Sequence, residues 1–416
     1  MRDEKLMILT MLEEGKITSQ EAIKLLEALE ETEGFIDYEP IEESEEKIIN
    51  LEKTKENLEA LEKNIKDKIK KVEKIDNLGT DISNKLTNVF SNLFSMGNPL
   101  NILGNYKVIN TTFEKDISHL TNPNIHIKSI NGSINLKSWK KENLLIKITY
   151  RHKYNNLTEE DKFYDLYEDD NNIIFEPLYT NNAAMDLDVY LPEKYCEKVN
   201  LKTSNGRIQV ENLNLGLLYC NTTNASISLK NIKGKSIDLS TKNGRINLID
   251  VYSPTLKAVS TNASIKLEDI NSDNITVATK NGQITLSNIV GEDISANTSN
   301  SSIKIEDIYG SIVNLNTSNG KIICRNLDNE KIKELKLSTS NSTIDVEMAN
   351  INKKSYFNLE TSFGNISLDI PNLVYKVNKQ VNLGMKKIVA HSANFNENEE
   401  HFMLNASTSN GSIIIK

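Results

Sequence analysis

The residues able to do chemistry are sparse and scattered. His119, His126, His152, His391 and His401 have no cysteine or carboxylate at metal-ligand spacing. Cys196, Cys220 and Cys324 are odd in number and unrelated in spacing, which suits buried thiols in a reducing compartment better than a disulfide frame. No Gly-x-Ser-x-Gly, phosphate loop or HExxH is present. Carboxylate pairs do occur. Asp186 and Asp188 alternate along one strand, and Glu268 and Asp269 are adjacent. A solenoid polysaccharide hydrolase or lyase would use Asp250, Asp269 and Asp307, yet their column reads Asn212, Asn231, Asp250, Asp269, Asn288, Asp307 and Asn326. That is the chemistry of a polar corner rather than a row of acids. The expectation is a non-enzyme with no catalytic residues, metal or cofactor.

These side chains are carried by a repeat. The tetrad Thr-x-Asn-(Gly/Ala/Ser), or Ser in place of Thr, places asparagine at Asn205, Asn224, Asn243, Asn262, Asn281, Asn300 and Asn319, a spacing of 19 residues. Asn341 follows after 22 residues, then a Phe363-Gly364 version and a last Asn410-Gly411, and an early partial copy stands at Asn131-Gly132. Relative to each asparagine, apolar residues fall three, five, eight, thirteen and fifteen positions later, as in Ile227, Leu229, Ile232, Ile237 and Leu239. Alternation by two with β-branched residues and no helical stretch predicts a mainly β protein. The fold is a parallel, right-handed β-solenoid of about 19 residues and two main strands per coil, each coil stacking on the last. Parity puts a corner at Gly244-Arg245 and points Thr241 and Asn243 inward. The asparagines are then a structural ladder, amide to amide, and the alternation of Gly with Ala or Ser after them marks a two-coil unit. Residues 101–200 read as a degenerate capping start with an excursion at 151–168, and 201–416 as the regular repeats.

Ahead of the repeats, residues 1–33 read as a helical hairpin, with Leu6, Met7, Leu9 and Leu12 on one face, Gly15 as a stop, and Thr18-Ser19-Gln20-Glu21 as a capping box before a second apolar stripe. Residues 34–100 read as an acidic connector, a long amphipathic helix or coiled coil, and a short amphipathic helix. Too small to be stable alone, the hairpin calls for an oligomer or a docking partner. Residues 1–80 hold 13 basic and 22 acidic side chains, so the net charge of −9 lies entirely in this head. That balance excludes a basic nucleic-acid binder. There is no run of 18 apolar residues and no secretory leader, and mean hydropathy is −0.43. The expectation is a cytoplasmic protein, with a non-classical route to the cell surface and peripheral membrane association left open.

The residues Ile8-Leu9, Met11 to Thr18, Glu21-Ala22 and Leu25-Leu26 resemble a SHOCT-like two-helix domain. From 121 to 416, an Asn-Gly strand, a Leu-Ile-Lys-Ile strand, an insertion, Asp186 to Pro192 and then the repeats resemble a bacterial β-strand-repeat domain of unknown function classed as adhesin-like. Head and body together are similar to LiaX/YvlB-like proteins. That resemblance implies a role in the bacterial cell-envelope stress response and in resistance to antimicrobial peptides, with protein or peptide ligands: cationic peptides or a membrane sensor protein. Glu13, Glu14, Glu21 and Glu27 are the candidate charge partners for such a ligand. The alternative is a cytoplasmic scaffold that polymerises through its solenoid.

Overall fold

The structure, a computed structural model, describes residues 107–153, 161–380, 384–393 and 395–416. The helical head, Glu13, Glu14, Glu21, Glu27 and the middle of the 151–168 excursion lie outside the described residues.

Every regular element among the described residues is a β-strand. One coil runs through Ile227–Lys233, a corner, Ser236–Thr241, and a second corner before Ile246–Tyr252 begins the next. Coils stack in parallel and in register. Ile227 pairs with Ile246, that with Ile265, then Ile284, Ile303 and Ile322. In the second sheet Ile237, Leu256, Ile275, Ile294 and Val313 form the matching column. Both columns are at most 1% exposed, so the two sheets face each other across one apolar core. β-Branched side chains suit this stack because each packs on its own copy one strand away, about 4.8 Å distant.

The parity slip between the fifth and eighth positions has a backbone cause. Asn212, Asn231, Asp250, Asp269, Asn288, Asp307 and Asn326 all sit in the left-handed region, with φ between 52° and 57°. Asparagine and aspartate tolerate that conformation best after glycine. One left-handed residue per coil reverses the side-chain alternation, so that Leu229 and Ile232, three apart, are both buried.

The coils do not simply stack in chain order, and this corrects the sequence expectation at both ends. Ile134–Trp139 lies between Ala183–Pro192 and Ile208–Asn221, and Asn124–Lys128 lies between Asn172–Pro177 and Cys196–Lys202. At the far end Phe402–Thr408 inserts between Ile332–Ser338 and Ser355–Thr361, while Ile413–Ile415 inserts between Ile344–Asn350 and Ile366–Leu368. A coil placed inside the stack pairs both of its edges, whereas a chain end left outermost would expose a row of N–H and C=O groups.

The outermost positions go to strands that close the stack. Lys107–Asp116 and Tyr164–Asp169 run antiparallel to their neighbours at one end, as does Leu373–Gln380 at the other. The fourth outermost strand, Ile366–Leu368, is three residues long. The largest fully buried side chains, Tyr150, Phe175, Phe357 and Phe402, belong to the end coils. The 19-residue coils fill their core with Ile, Leu, Val and Ala, together with Cys220.

Candidate functional site

The asparagine corner is the most regular chemical feature of the molecule. Each asparagine donates from Nδ2 to Oδ1 of the asparagine one coil away, through Asn205, Asn224, Asn243, Asn262, Asn281, Asn300, Asn319, Asn341 and Asn410, at 2.5–2.8 Å. Asn131, from the early partial copy, is the first acceptor, and its own amide donates to the Ala183 carbonyl at 2.9 Å. The rungs follow stacking order rather than chain order, since Asn410 bonds Asn341 directly. Phe363 occupies the next position. Its N–H donates to Ser409 O as that of Asn410 does to Ser340 O, and its ring is 71% exposed at the end of the column.

The inward placement of the asparagines is not what the structure has. All of them are exposed, and only the hydroxyl residue two positions earlier is buried, Thr241 among them at 4%. A chain turning a corner gives up strict alternation, so the parity that holds as far as Thr241 no longer assigns a face to Asn243. The buried hydroxyls form a ladder of their own. Thr203, Thr222, Thr241, Ser260, Thr279, Thr298, Thr317, Thr339, Thr361 and Thr408 each donate to the carbonyl of the small residue after the asparagine in the adjacent coil, at 2.8–3.2 Å.

The alternation of Gly with Ala or Ser now has a steric reason. A Cβ on Gly244 would stand 1.7 Å from the Ala225 carbonyl oxygen, and one on Gly282 would stand 1.9 Å from that of Ala263. Neither glycine has a positive φ, so close approach between coils is what demands it. In stacking order Gly206, Ala225, Gly244, Ala263, Gly282, Ser301, Gly320, Ser342 and Gly411 alternate, and at the two ends of this run glycine meets glycine, Gly206 against Gly132 and Gly364 against Gly411.

Inside the first strand of each coil the left-handed residues also bond one another: Asn231 to Asn212 at 2.7 Å, Asn288 to Asp269 at 2.5 Å, and Asn326 to Asp307. Asp269 and Asp307, candidates for an enzymatic reading, are therefore left-handed bend residues within their strands that accept a neighbour's amide. Asp186 and Asp188 are likewise engaged: the first accepts from Ser133 N and Oγ and pairs with Arg151, and the second accepts from Asn135 Nδ2.

The histidines stay apart. His119 meets Glu168 at 2.8 Å, and that contact together with Lys115 holds the glutamate below its ordinary pKa. His126 lies on the outer face of a sheet, its pKa lowered by partial burial and by Lys198. His152 is fully buried, with neither ring nitrogen hydrogen-bonded and its ring stacked on Tyr150 at 5.5 Å. Burial, then the charge of Lys107, lowers its pKa. All three cysteines are free and buried; burial pushes the Cys196 thiol up to about 11 and raises Cys220 and Cys324 as well. Among the described residues no three His, Cys, Asp or Glu side chains are grouped to hold a metal ion.

Sequence reasoning missed two polar features that arise from the swapped coils. Asn329 is fully buried, donating to Lys353 O at 2.7 Å and Ser355 Oγ at 3.0 Å while accepting from the N–H groups of Asn352 and Lys353. It ties a 22-residue coil to the segment that leaves it. A shallow hollow of about 250 Å³ on the outer face is lined by Asn316, Lys336, Ser338, Asn358, Asn405 and Ser407, which come from four separate strands. The only available signal was the change of period from 19 to 22 near Asn341, which shows that the stack alters there but not what is inserted.

A model of the Toastrack DUF4097 family matches residues 122–271 and 253–414, and a model of the SHOCT-like domain matches residues 3–34. Among curated proteins none matches the chain. Among solved structures, a protein described as a "putative cell adhesion protein" from Clostridium sporogenes is similar at 10% identity and a TM-score of 0.17, covering 74% of this chain and 99% of that one.

Proposed function

Because this chain belongs to the Toastrack DUF4097 family, a β-repeat family of unknown function, and opens with a SHOCT-like segment, we propose that it is a non-enzymatic, adhesin-like binding protein of the bacterial cell-envelope stress response. The observation that carries this reading is the inter-coil hydrogen bonding. The repeated asparagines and buried hydroxyls bond neighbouring coils, and Asp269 and Asp307 serve as left-handed bend residues that accept an amide from the next coil. The repeat thus builds a stiff display surface rather than a reaction centre. The acidic head supplies the second function: Glu13, Glu14, Glu21 and Glu27 attract a cationic peptide or the basic segment of a membrane sensor protein. The outermost strands favour a binder over a scaffold that grows end to end, because three of them lie outside the repeat and the fourth, Ile366–Leu368, is three residues long, so among the described residues neither end presents a full coil for another stack to pair with.

The test is titration of the full chain with a cationic amphipathic peptide, alongside a variant carrying Glu13→Gln, Glu14→Gln, Glu21→Gln and Glu27→Gln. Binding that weakens at least about tenfold in the variant and falls with salt supports the head as the site. Equal binding by both forms removes the head from the reading, and no binding by either removes cationic peptides. Protease shaving of intact cells before and after exposure to such a peptide tests surface display, with a wholly protected chain counting against it.

A further inference from the structure

We propose that the asparagine corner is a docking edge for a linear anionic glycan, a polyhydroxyl chain carrying a carboxylate or phosphate at regular intervals. In the regular stack the segments that form this corner and its flanks, 202–209, 221–228, 240–247, 259–266, 278–285, 297–304 and 316–323, contain no aspartate or glutamate and eight Lys or Arg. The remaining parts of the same coils, between 210 and 315, hold ten acids and four lysines. The body is near neutral, yet its acids are kept out of this corner and its flanks.

The cations at the corner are Arg207, Lys242, Arg245, Lys280 and Lys321, all exposed. None forms an ion pair with a carboxylate among the described residues. This contrasts with Lys235, Lys257 and Arg325 elsewhere on the same coils, and with Lys266 at the edge of its flank, each of which does.

All five stand on glycine coils. Their neighbours, the Ala and Ser coils, carry Thr223 and Ser226, Thr261 and Ser264, or Ser299 and Ser302 at the same two positions. Charged coils therefore recur every second coil, about 9.6 Å apart, and Arg207 to Lys321 spans six coils or about 29 Å. That spacing halves the repulsion between neighbouring charges relative to successive coils, and the short side chains between leave room for a ligand to lie along the edge. Between the cations runs the exposed amide ladder. Each rung uses one N–H within the ladder, leaving a second donor and spare acceptor capacity for hydroxyl groups. A row of fixed amides with cations at a regular interval matches a polymer that repeats hydroxyls and anionic groups along one axis.

The experiment uses the full chain and a variant in which each cation takes a residue type already found at its position in neighbouring coils: Arg207→Ser, Lys242→Thr, Arg245→Ser, Lys280→Thr and Lys321→Ser. A control variant replaces Lys230, Lys233, Lys235 and Lys257 with Ser. Unchanged far-ultraviolet circular dichroism establishes that both fold. The probes are oligogalacturonate, a glycerol-phosphate oligomer, neutral dextran and duplex DNA. The expected result is salt-dependent binding of one or both anionic glycan-like probes, reduced at least tenfold in the edge variant and not in the control, with a shallower salt dependence as fewer counterions are released. Which probe binds identifies carboxylate or phosphate as the source. The proposal is overturned if neither probe binds, if the edge variant binds as wild type does, if dextran binds equally well, or if DNA is preferred. Failure here leaves the head reading intact, because that one concerns cationic ligands and residues 1–33.

Discussion

Replacing Gly282 with Ala probes the coil contact most directly. The added methyl would lie 1.9 Å from the Ala263 carbonyl oxygen, a backbone atom, so two coils must part by about 1.5 Å to reach van der Waals contact. The bonds at stake are Asn281 Nδ2 to Asn262 Oδ1 at 2.8 Å, Asn281 N and Lys280 N to Thr261 O at 3.0 Å each, and Thr279 Oγ1 to Ala263 O at 3.2 Å. Losing two or three of them at about 1 kcal/mol each, with about 1–3 kcal/mol of overpacking, gives an expected cost of about 3–6 kcal/mol. The reverse change in the adjacent coil, Ala263→Gly, removes one methyl and adds chain entropy, costing about 0.5–1 kcal/mol. Equilibrium urea unfolding followed by circular dichroism compares the two. Amide hydrogen exchange, read by mass spectrometry, checks that the loss centres on the coils around Gly282, since repeat stacks open locally. If Gly282→Ala lies within 1 kcal/mol of the parent, or Ala263→Gly costs as much, close approach is not the reason for the alternation.

Three further outcomes follow from the same contacts. Asn262→Ala removes a bond on each side of one rung and should cost about 1–3 kcal/mol, whereas Asn410→Ala, which loses its one bond to Asn341, should cost about half as much; denaturation midpoints of the two variants give the ratio. Buried, unpartnered His152 has its pKa lowered in the folded chain, so the unfolded chain binds the proton more readily, and stability should hold above about pH 7 and decline as pH falls through the ordinary histidine pKa near 6.5. A His152→Phe variant should lose part of that slope between pH 5 and 7, and an unchanged slope would remove His152 as its source. Because Cys196, Cys220 and Cys324 are buried with raised pKa values, the native chain should leave all three unreacted with a thiol reagent at pH 8, and denaturant should release three reactive thiols; labelling of the folded chain would contradict their placement.

The sequence determined what each coil is because every coil repeats the same local instructions. Ile227, Leu229, Ile232, Ile237 and Leu239 recur at fixed spacing, so the burial pattern, the two strands and the parallel register follow from counting, and a period of 19 leaves the asparagines no neighbour but one another. Tertiary structure decided whatever depends on which coil lies next to which. The face taken by Asn243 depends on how sharply the corner turns, and alternation carries no information once the chain leaves the strand. The requirement for Gly244 comes from a carbonyl 19 residues away in sequence, pressed against its α-carbon. Neither swapped end could be read from the pattern, because Thr408-Ser409-Asn410-Gly411 suits a rung above Asn341 as well as one beyond Phe363. The chain inserts it next to Asn341, where both edges of the strand find partners and antiparallel strands remain to close the stack.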